Sequence, residues 1–477
     1  MARKPKKRMT RHLSDARVIA LWLGLSALTW PVVYLVAYGI TALGAQTAAT
    51  VVALALGGLI FASIAILNDL NINVFSLAKE LFQAASRDMS RLEYAASRGD
   101  RKRVTELLSK ENQSRFDTLR RAVSRDDMAT IRLLLECGID VNVKSKDGRT
   151  ALMVASSEEV AGLLLEAGAD LNAVASNGQT ALHALVRTGT RTKTLLNSGA
   201  NIRAVDDDGR TVVHAAIGSF LAADTAKKRK RMQTIVEELL VAGCDPSVTD
   251  IEGNNALHEL LKDDPSDLYL CESFVPGELA DMASTLAKSI SNLNGRNTDG
   301  ESPLHLAAKC LEYGECIQTL IANGGSVNFE NNHQETPLHL AVSQDNTLAM
   351  EILLQHEADP NILDVLGHTP LHRAIDAIEH QRWDDENAHW PESKLIHVNM
   401  LLSSGADPNA MKTESPLHRA CAQYELDTDL IHALIGAGGD VTLLNNRGQS
   451  SLDLLRQHRD RNTAAVLLER YDQKKAG

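Results

Sequence analysis

Thr336-Pro337-Leu338-His339 is the stretch on which the fold turns. Threonine caps a helix, and proline at the first helical position gives up no needed N–H, so these residues read as a helix start whose leucine faces a core. The motif recurs as Thr150-Ala151-Leu152-Met153, Thr180-Ala181-Leu182-His183, Thr211-Val212-Val213-His214, Asn255-Ala256-Leu257-His258, Ser302-Pro303-Leu304-His305, Thr369-Pro370-Leu371-His372, Ser415-Pro416-Leu417-His418 and Ser450-Ser451-Leu452-Asp453. Successive spacings are 30, 31, 44, 47, 34, 33, 46 and 35 residues, a periodicity that marks stacked repeats. A second signature precedes each next unit, as in Gly138-Ile139-Asp140-Val141-Asn142, Gly168-Ala169-Asp170-Leu171-Asn172 and Gly405-Ala406-Asp407-Pro408-Asn409. Its glycine ends a second helix, where a left-handed residue is wanted. Asp147-Gly148, Asn177-Gly178, Asp208-Gly209 and Asp299-Gly300 then make tight turns between units.

These two motifs resemble those of the ankyrin-repeat family. The resemblance covers roughly residues 88 to 470, including degenerate units at Leu92-Glu93-Tyr94-Ala95 and Leu119-Arg120-Arg121-Ala122, about eleven repeats in all. It implies an all-α solenoid of helix–turn–helix units with β-turn fingers, each unit burying its faces only against its neighbours. It also implies a structural role for the recurring histidines, which are expected to hydrogen-bond within the stack. A metal or catalytic role would need them clustered, and one per repeat is not a cluster.

The N-terminal part reads differently. Residues 1–17 hold seven Lys or Arg against Asp15, a charge of about +6, while the chain carries −12 overall. Val18 to Asn68 is uncharged, and one helix of that length, about 75 Å, would exceed the ~30 Å hydrocarbon core. The expectation is a transmembrane hairpin over 18–67, with spans near 18–38 and 47–67 turning at Tyr38–Gln46. Ala49, Ala53 and Gly57 would offer a small-residue packing face. The apolar run is too long for a signal-peptide core. The basic residues of 1–17 put that tail in the cytoplasm, and two spans return the chain there. The expected protein is thus a multi-pass inner-membrane protein with both termini cytoplasmic. Residues 68–88 hold an amphipathic stretch (Val74, Leu77, Ala78, Leu81, Phe82, Ala85) that reads as a capping helix or membrane-surface linker. The repeat domain runs over 89–470, and 471–477 is a tail.

The acidic body would repel DNA, so no nucleic-acid partner is expected. Six scattered cysteines form neither a disulfide framework nor a zinc site. No P-loop, HExxH or nucleophile elbow appears, and neither enzymatic activity nor any cofactor or metal is expected. Lys227-Lys228-Arg229-Lys230-Arg231 reads as a solvated helix start, with an anionic contact or nuclear-import signal as alternatives.

The expected function is a scaffold that binds a protein partner. Candidate contacts are the finger residues Arg149, Gln179, Arg210, Asn254, Glu301, Glu335 and His368. Three long spacings place insertions near 217–231, 262–280 and 376–397, expected as helix–helix loops. The third carries Trp383 and Trp390, two of the chain's four tryptophans, as a candidate hot spot. Glu357 occupies the slot that seven repeats fill with glycine. The Ala- and Arg-rich, aromatic-poor composition looks bacterial, which brings in two alternatives: a secreted effector that inserts in a host membrane, or an immunity-type protein that binds a toxin.

Overall fold

The computed structural model describes residues 91–110, 114–189, 192–262, 276–384, 392–424, 426–459 and 463–466. The expected tail 1–17, hairpin 18–67, linker 68–88 and terminal stretch 471–477 lie outside those residues.

The chain divides into two compact units, Met1–Arg98 and Gly99–Gly477. In the first, the described element is α1 (Arg91–Ser97). In the second, helices follow in pairs, opened by α2 (Arg101–Lys110). Next come α3 (Ser114–Ser124) with α4 (Met128–Glu136), a 3-10 turn (Leu152–Val154) with α5 (Glu158–Glu166), and α6 (Ala181–Thr188) with α7 (Lys193–Asn197). After them stand α8 (Val212–Leu221) with α9 (Ala226–Val241), α10 (Ala256–Leu261) with α11 (Pro276–Ala287), and α12 (Pro303–Lys309) with α13 (Gly314–Ala322). The last are α14 (Pro337–Ser343) with α15 (Thr347–Gln355), α16 (Pro370–Asp384) with α17 (Glu392–Ser403), α18 (Pro416–Ala422) with α19 (Thr428–Gly436), and α20 (Ser451–Gln457).

The first helices of neighbouring pairs pack in a row from α6 through α20, and second helices pack likewise from α11 to α13 and α15. The motif leucines Leu257, Leu338, Leu371 and Leu417 form a fully buried column between them. Burying each stabilises the stack by roughly 2 kcal/mol relative to exposure. Among the described residues, strand pairing is limited to two isolated bridges, Val205 with Thr211 and Leu444 with Ser450. Successive fingers are joined through the backbone. The Asp207 N–H donates to Asn177 O at 3.2 Å, Ile251 to Asp208 at 3.0 Å, Thr298 to Glu252 at 2.9 Å and Val365 to His333 at 2.9 Å.

Two expectations need correction. The insertion at 217–231 is not a loop. Ile217, Phe220 and Leu221 continue the buried stripe of α8, and Thr225 caps α9 by accepting the Lys228 N–H at 3.3 Å. The extra residues therefore lengthen two helices, because their apolar spacing still matches the helical period. Likewise α16 runs 15 residues where α14 and α18 run 7. Residues 263–275 and 385–391 of the other two insertions lie outside the described residues.

The second correction concerns the inner-membrane, multi-pass placement. Among the described residues no helix is long and apolar enough to cross a membrane. A span needs about 20 mostly apolar residues. The longest described helix, α9, has 16 and begins with Lys227–Arg231.

Candidate protein-interaction face

Each motif histidine occupies the third position of its helix and closes a capping box with the cap residue. The Ser302 N–H donates to His305 Nδ1 at 3.1 Å, Thr336 to His339 at 3.1 Å and Thr369 to His372 at 3.0 Å. A backbone N–H can only donate, so Nδ1 carries no proton and the ring is the Nε2–H tautomer. That Nε2–H reaches into the next repeat. His183 donates to Arg210 O at 3.3 Å, His214 to Asn254 O at 3.0 Å, His258 to Glu301 O at 3.0 Å and His305 to Glu335 O at 3.0 Å. His339 donates to His368 O at 3.1 Å, His372 to Glu414 O at 3.0 Å, and His418 to Leu443 O at 3.0 Å and Gln449 O at 3.1 Å. Burial disfavours the charged ring, lowering the pKa of His183 and His258 and bringing His305, His339 and His372 down to about 4. The row is a set of neutral stitches between repeats.

A second stitch was not foreseen. The last Asn of the Gly-x-Asp-x-Asn signature clamps the following repeat from both sides of its amide. Asn361 Nδ2 donates to Gly405 O at 3.0 Å, and its Oδ1 accepts the Asp407 N–H at 2.7 Å. Asn142 and Asn409 do the same to Gly168 and Asp170, and to Gly438 and Asp440. The repeated Asn was visible in the sequence; that it reaches across about a repeat's length of chain was not.

The candidate contact residues lie at the base of the fingers, and the turns between Asp206 and Arg210, or Asn331 and Glu335, form the tips. Arg149 is exposed; Gln179, Arg210, Glu335 and His368 are half-buried; Asn254 and Glu301 are buried. Arg210, Asn254, Glu301, Glu335 and His368 supply the carbonyls that receive the histidine stitches. Two of their carboxylates are also engaged: Glu301 pairs with Lys309, and Glu335 with Arg373, which also holds Asp364. A further ladder joins Arg419 to Asp376 and Glu414. Trp383 falls in the last turn of α16, and Trp390 lies outside the described residues.

The basic run starts α9, with Arg229 fully buried. Its guanidinium pairs with Glu278 of the next repeat and donates to Ala223 O at 3.0 Å. Lys227, Lys230 and Arg231 are exposed, and Lys228 pairs with Asp224 at 2.7 Å. Of the cysteines, burial raises Cys244 to about 11 and Cys316 and Cys421 to about 12, which makes them inert thiols. Among the described residues no three His, Cys, Asp or Glu groups converge as a metal site.

Beside polar side chains such as Asn177, Asp207 and Glu252, the fingers also expose apolar ones. Val174 and Val205 stand six residues before the helix cap of their repeats, Ile251 and Val365 four before, with Leu366 beside Val365 and Leu444 in a later finger. They are 50%, 47%, 69%, 50%, 58% and 57% exposed. Such positions in tight turns usually hold polar residues, and that mismatch was the signal the sequence offered. Nearby, the finger 206–210, the end of α6, the C-terminal half of α8 and the start of α9 enclose a cavity of about 890 Å³.

Paired helices, fingers and carbonyl-stitching histidines define a repeat solenoid of the ankyrin class. The family model for "Ankyrin repeats (3 copies)" matches residues 92–175, 220–331 and 304–382, more than half of the chain, and the chain belongs to the ankyrin-repeat family. Among solved structures it is similar to the ankyrin repeat domain of Bcl-3, a unique member of the IkappaB protein family. The identity is 21% and the TM-score 0.40, over 55% of this chain and 100% of that one. The human ASB11 ankyrin repeat domain is similar at 24% identity and TM-score 0.38, over 55% of this chain and 98% of that one.

Proposed function

We infer that this chain is a protein-interaction scaffold whose repeat domain, about eleven repeats over 89–470, holds a protein partner against its fingers and first helices. The observation that carries this reading is the exposure of Val, Ile or Leu on five of the fingers: Val174, Val205, Ile251, Val365 with Leu366, and Leu444. Isolated exposed apolar residues are ordinary, but a set gathered on the fingers within six residues of the helix caps is the kind of surface a protein partner covers. The buried histidines support it from the other side, since their ring nitrogens are committed to the stack and take no part in chemistry.

The test is co-purification of the full chain with its bound proteins, compared with an Ile251→Asp, Leu366→Asp variant. Both side chains are exposed, so the melting temperature should hold while the partner is lost. A partner retained by the folded variant would remove the fingers from the binding face.

A further inference from the structure

Successive finger tips are joined in a fixed register. The first residue of each tip donates its N–H to the carbonyl of the second residue of the tip before: Asp207 to Asn177, Ile251 to Asp208, Thr298 to Glu252, Asn332 to Asp299 and Val365 to His333. These bonds chain the pairs Asp207-Asp208, Ile251-Glu252 and Thr298-Asp299 side by side. Their second positions form a row of three carboxylates, one per repeat, and Ile251, 69% exposed, stands between the first two. Farther along, the same ridge continues into Val365 and Leu366. Asp207, Asp208, Glu252 and Asp299 are exposed, and among the described residues none of them enters an ion pair. No Lys or Arg occupies a tip pair from Ser176 to Leu366. The acidic excess extends below the tips as well: the complete finger segments 199–211, 243–255, 288–302 and 323–336 hold ten Asp or Glu and four Lys or Arg. Of those four bases, Arg210 is half-buried and Arg296 lies over the Phe329 ring at 4.6 Å. Bases return at Lys146 on one side and at Lys412 and Arg447 on the other, so the unneutralised stretch is bounded.

We propose that this ridge docks a basic segment of the protein partner that carries both apolar side chains and Lys or Arg; the proposal rests on the scaffold reading above. The apolar side chains cover Ile251, Val365 and Leu366, and the cations meet Asp208, Glu252 and Asp299 in charge-assisted hydrogen bonds. Exposed ion pairs are individually weak and are screened by salt. The carboxylates therefore supply selection and encounter rate, while removal of the apolar side chains from water supplies the hold. A metal ion would need the carboxylates gathered at one point. They are spread over three tips, and among the described residues no three such groups converge. Nucleic acid and an anionic bilayer carry the wrong sign of charge for this row.

The test uses the full chain and fluorescence anisotropy at low salt. The probes are a short dye-labelled peptide repeating Lys-Lys-Leu-Leu, a Gln-Gln-Leu-Leu counterpart and a Lys-Lys-Ser-Ser counterpart. The first should bind, and each counterpart should bind about tenfold more weakly or worse. Asp208→Asn with Glu252→Gln and Asp299→Asn should weaken binding of the first peptide about tenfold or more. All three side chains are exposed, and glutamine keeps the oxygen that accepts the Asn254 Nδ2 bond, so the circular dichroism spectrum should be unchanged. Glu312→Gln with Glu315→Gln and Glu351→Gln removes the same charge from exposed sites off the fingers and should have little effect. No binding of the Lys-Lys-Leu-Leu peptide, equal binding of either counterpart, an unaffected finger variant, or equal weakening by the two triple variants each overturns the proposal. If a co-purified partner stays on the Asp208→Asn, Glu252→Gln, Asp299→Asn chain but is lost from the Ile251→Asp, Leu366→Asp variant, the scaffold reading stands and the basic-segment proposal falls.

Discussion

Protonating His339 would take away the lone pair that receives the Thr336 N–H, and would place a charge where the ring is fully buried. The unfolded chain takes up that proton near pH 6.5. The folded rings of His305, His339 and His372 do so only near 4. Between these values the unfolded state binds more protons, so stability rises with pH across the window and is lost as pH falls through it. Each of the three should withdraw about 2 kcal/mol by pH 5. Urea midpoints measured at pH 7, 6 and 5 should therefore fall in step. A midpoint that stays flat down to pH 5 would show that these rings are protonated in the folded protein without cost.

At the scale of the element, the end of α15 departs from the repeat pattern. Glu357 has φ +62°, in the left-handed region where Gly138, Gly168 and Gly405 stand in other repeats. Its side chain is exposed. Glu357→Gly should stabilise the repeat domain by up to about 1 kcal/mol in urea unfolding, and a loss of stability would reveal a contact made by the carboxylate. Here sequence reading succeeded because the constraint is local: the slot, its neighbours and its backbone demand all lie within one turn. The helix starts were legible for the same reason, since Ser or Thr, Pro and His act over three residues. The lengthened α8 and α16 were not, because a long spacing is equally consistent with a loop, and only burial of Ile217 and Phe220 against neighbouring repeats decides for helix. The carbonyl stitches from Arg210, Asn254, Glu301, Glu335 and His368 were illegible too. They depend on which backbone oxygen arrives opposite a histidine 27 to 43 positions earlier in the chain, and no local pattern marks it.

Across the second unit, the asparagine clamp is interrupted. Where Asn172, Asn361 and Asn409 stand in their repeats, two consecutive repeats hold Arg203 and Ser247. Among the described residues neither side chain bonds to the following repeat. Each complete clamp contributes two hydrogen bonds, about 1–3 kcal/mol per interface. Stability in a linear stack is a sum of repeats and their interfaces, so the segment 204–288 should open first. Hydrogen exchange should show weaker protection of α8–α10 amides than of α14 and α18. Arg203→Asn with Ser247→Asn, which recreates the Asp-Pro-Asn pattern of Asp359-Pro360-Asn361 at the second site, should narrow that difference. Uniform protection along the stack would mean that the Arg229–Glu278 pair compensates for both missing clamps.

The histidine row also has a direction. Every donor belongs to the earlier repeat and every acceptor to the later one, so during synthesis each newly emerging unit meets an imidazole already oriented to receive it. The seam can therefore zip in the order in which the ribosome delivers it. Asp453 occupies the same slot in α20, where it accepts the Ser450 N–H at 3.0 Å as the histidines do. A carboxylate has no proton left to hand onward. Asp453 thus closes its own helix start and, unlike the histidines, sends no such bond onward.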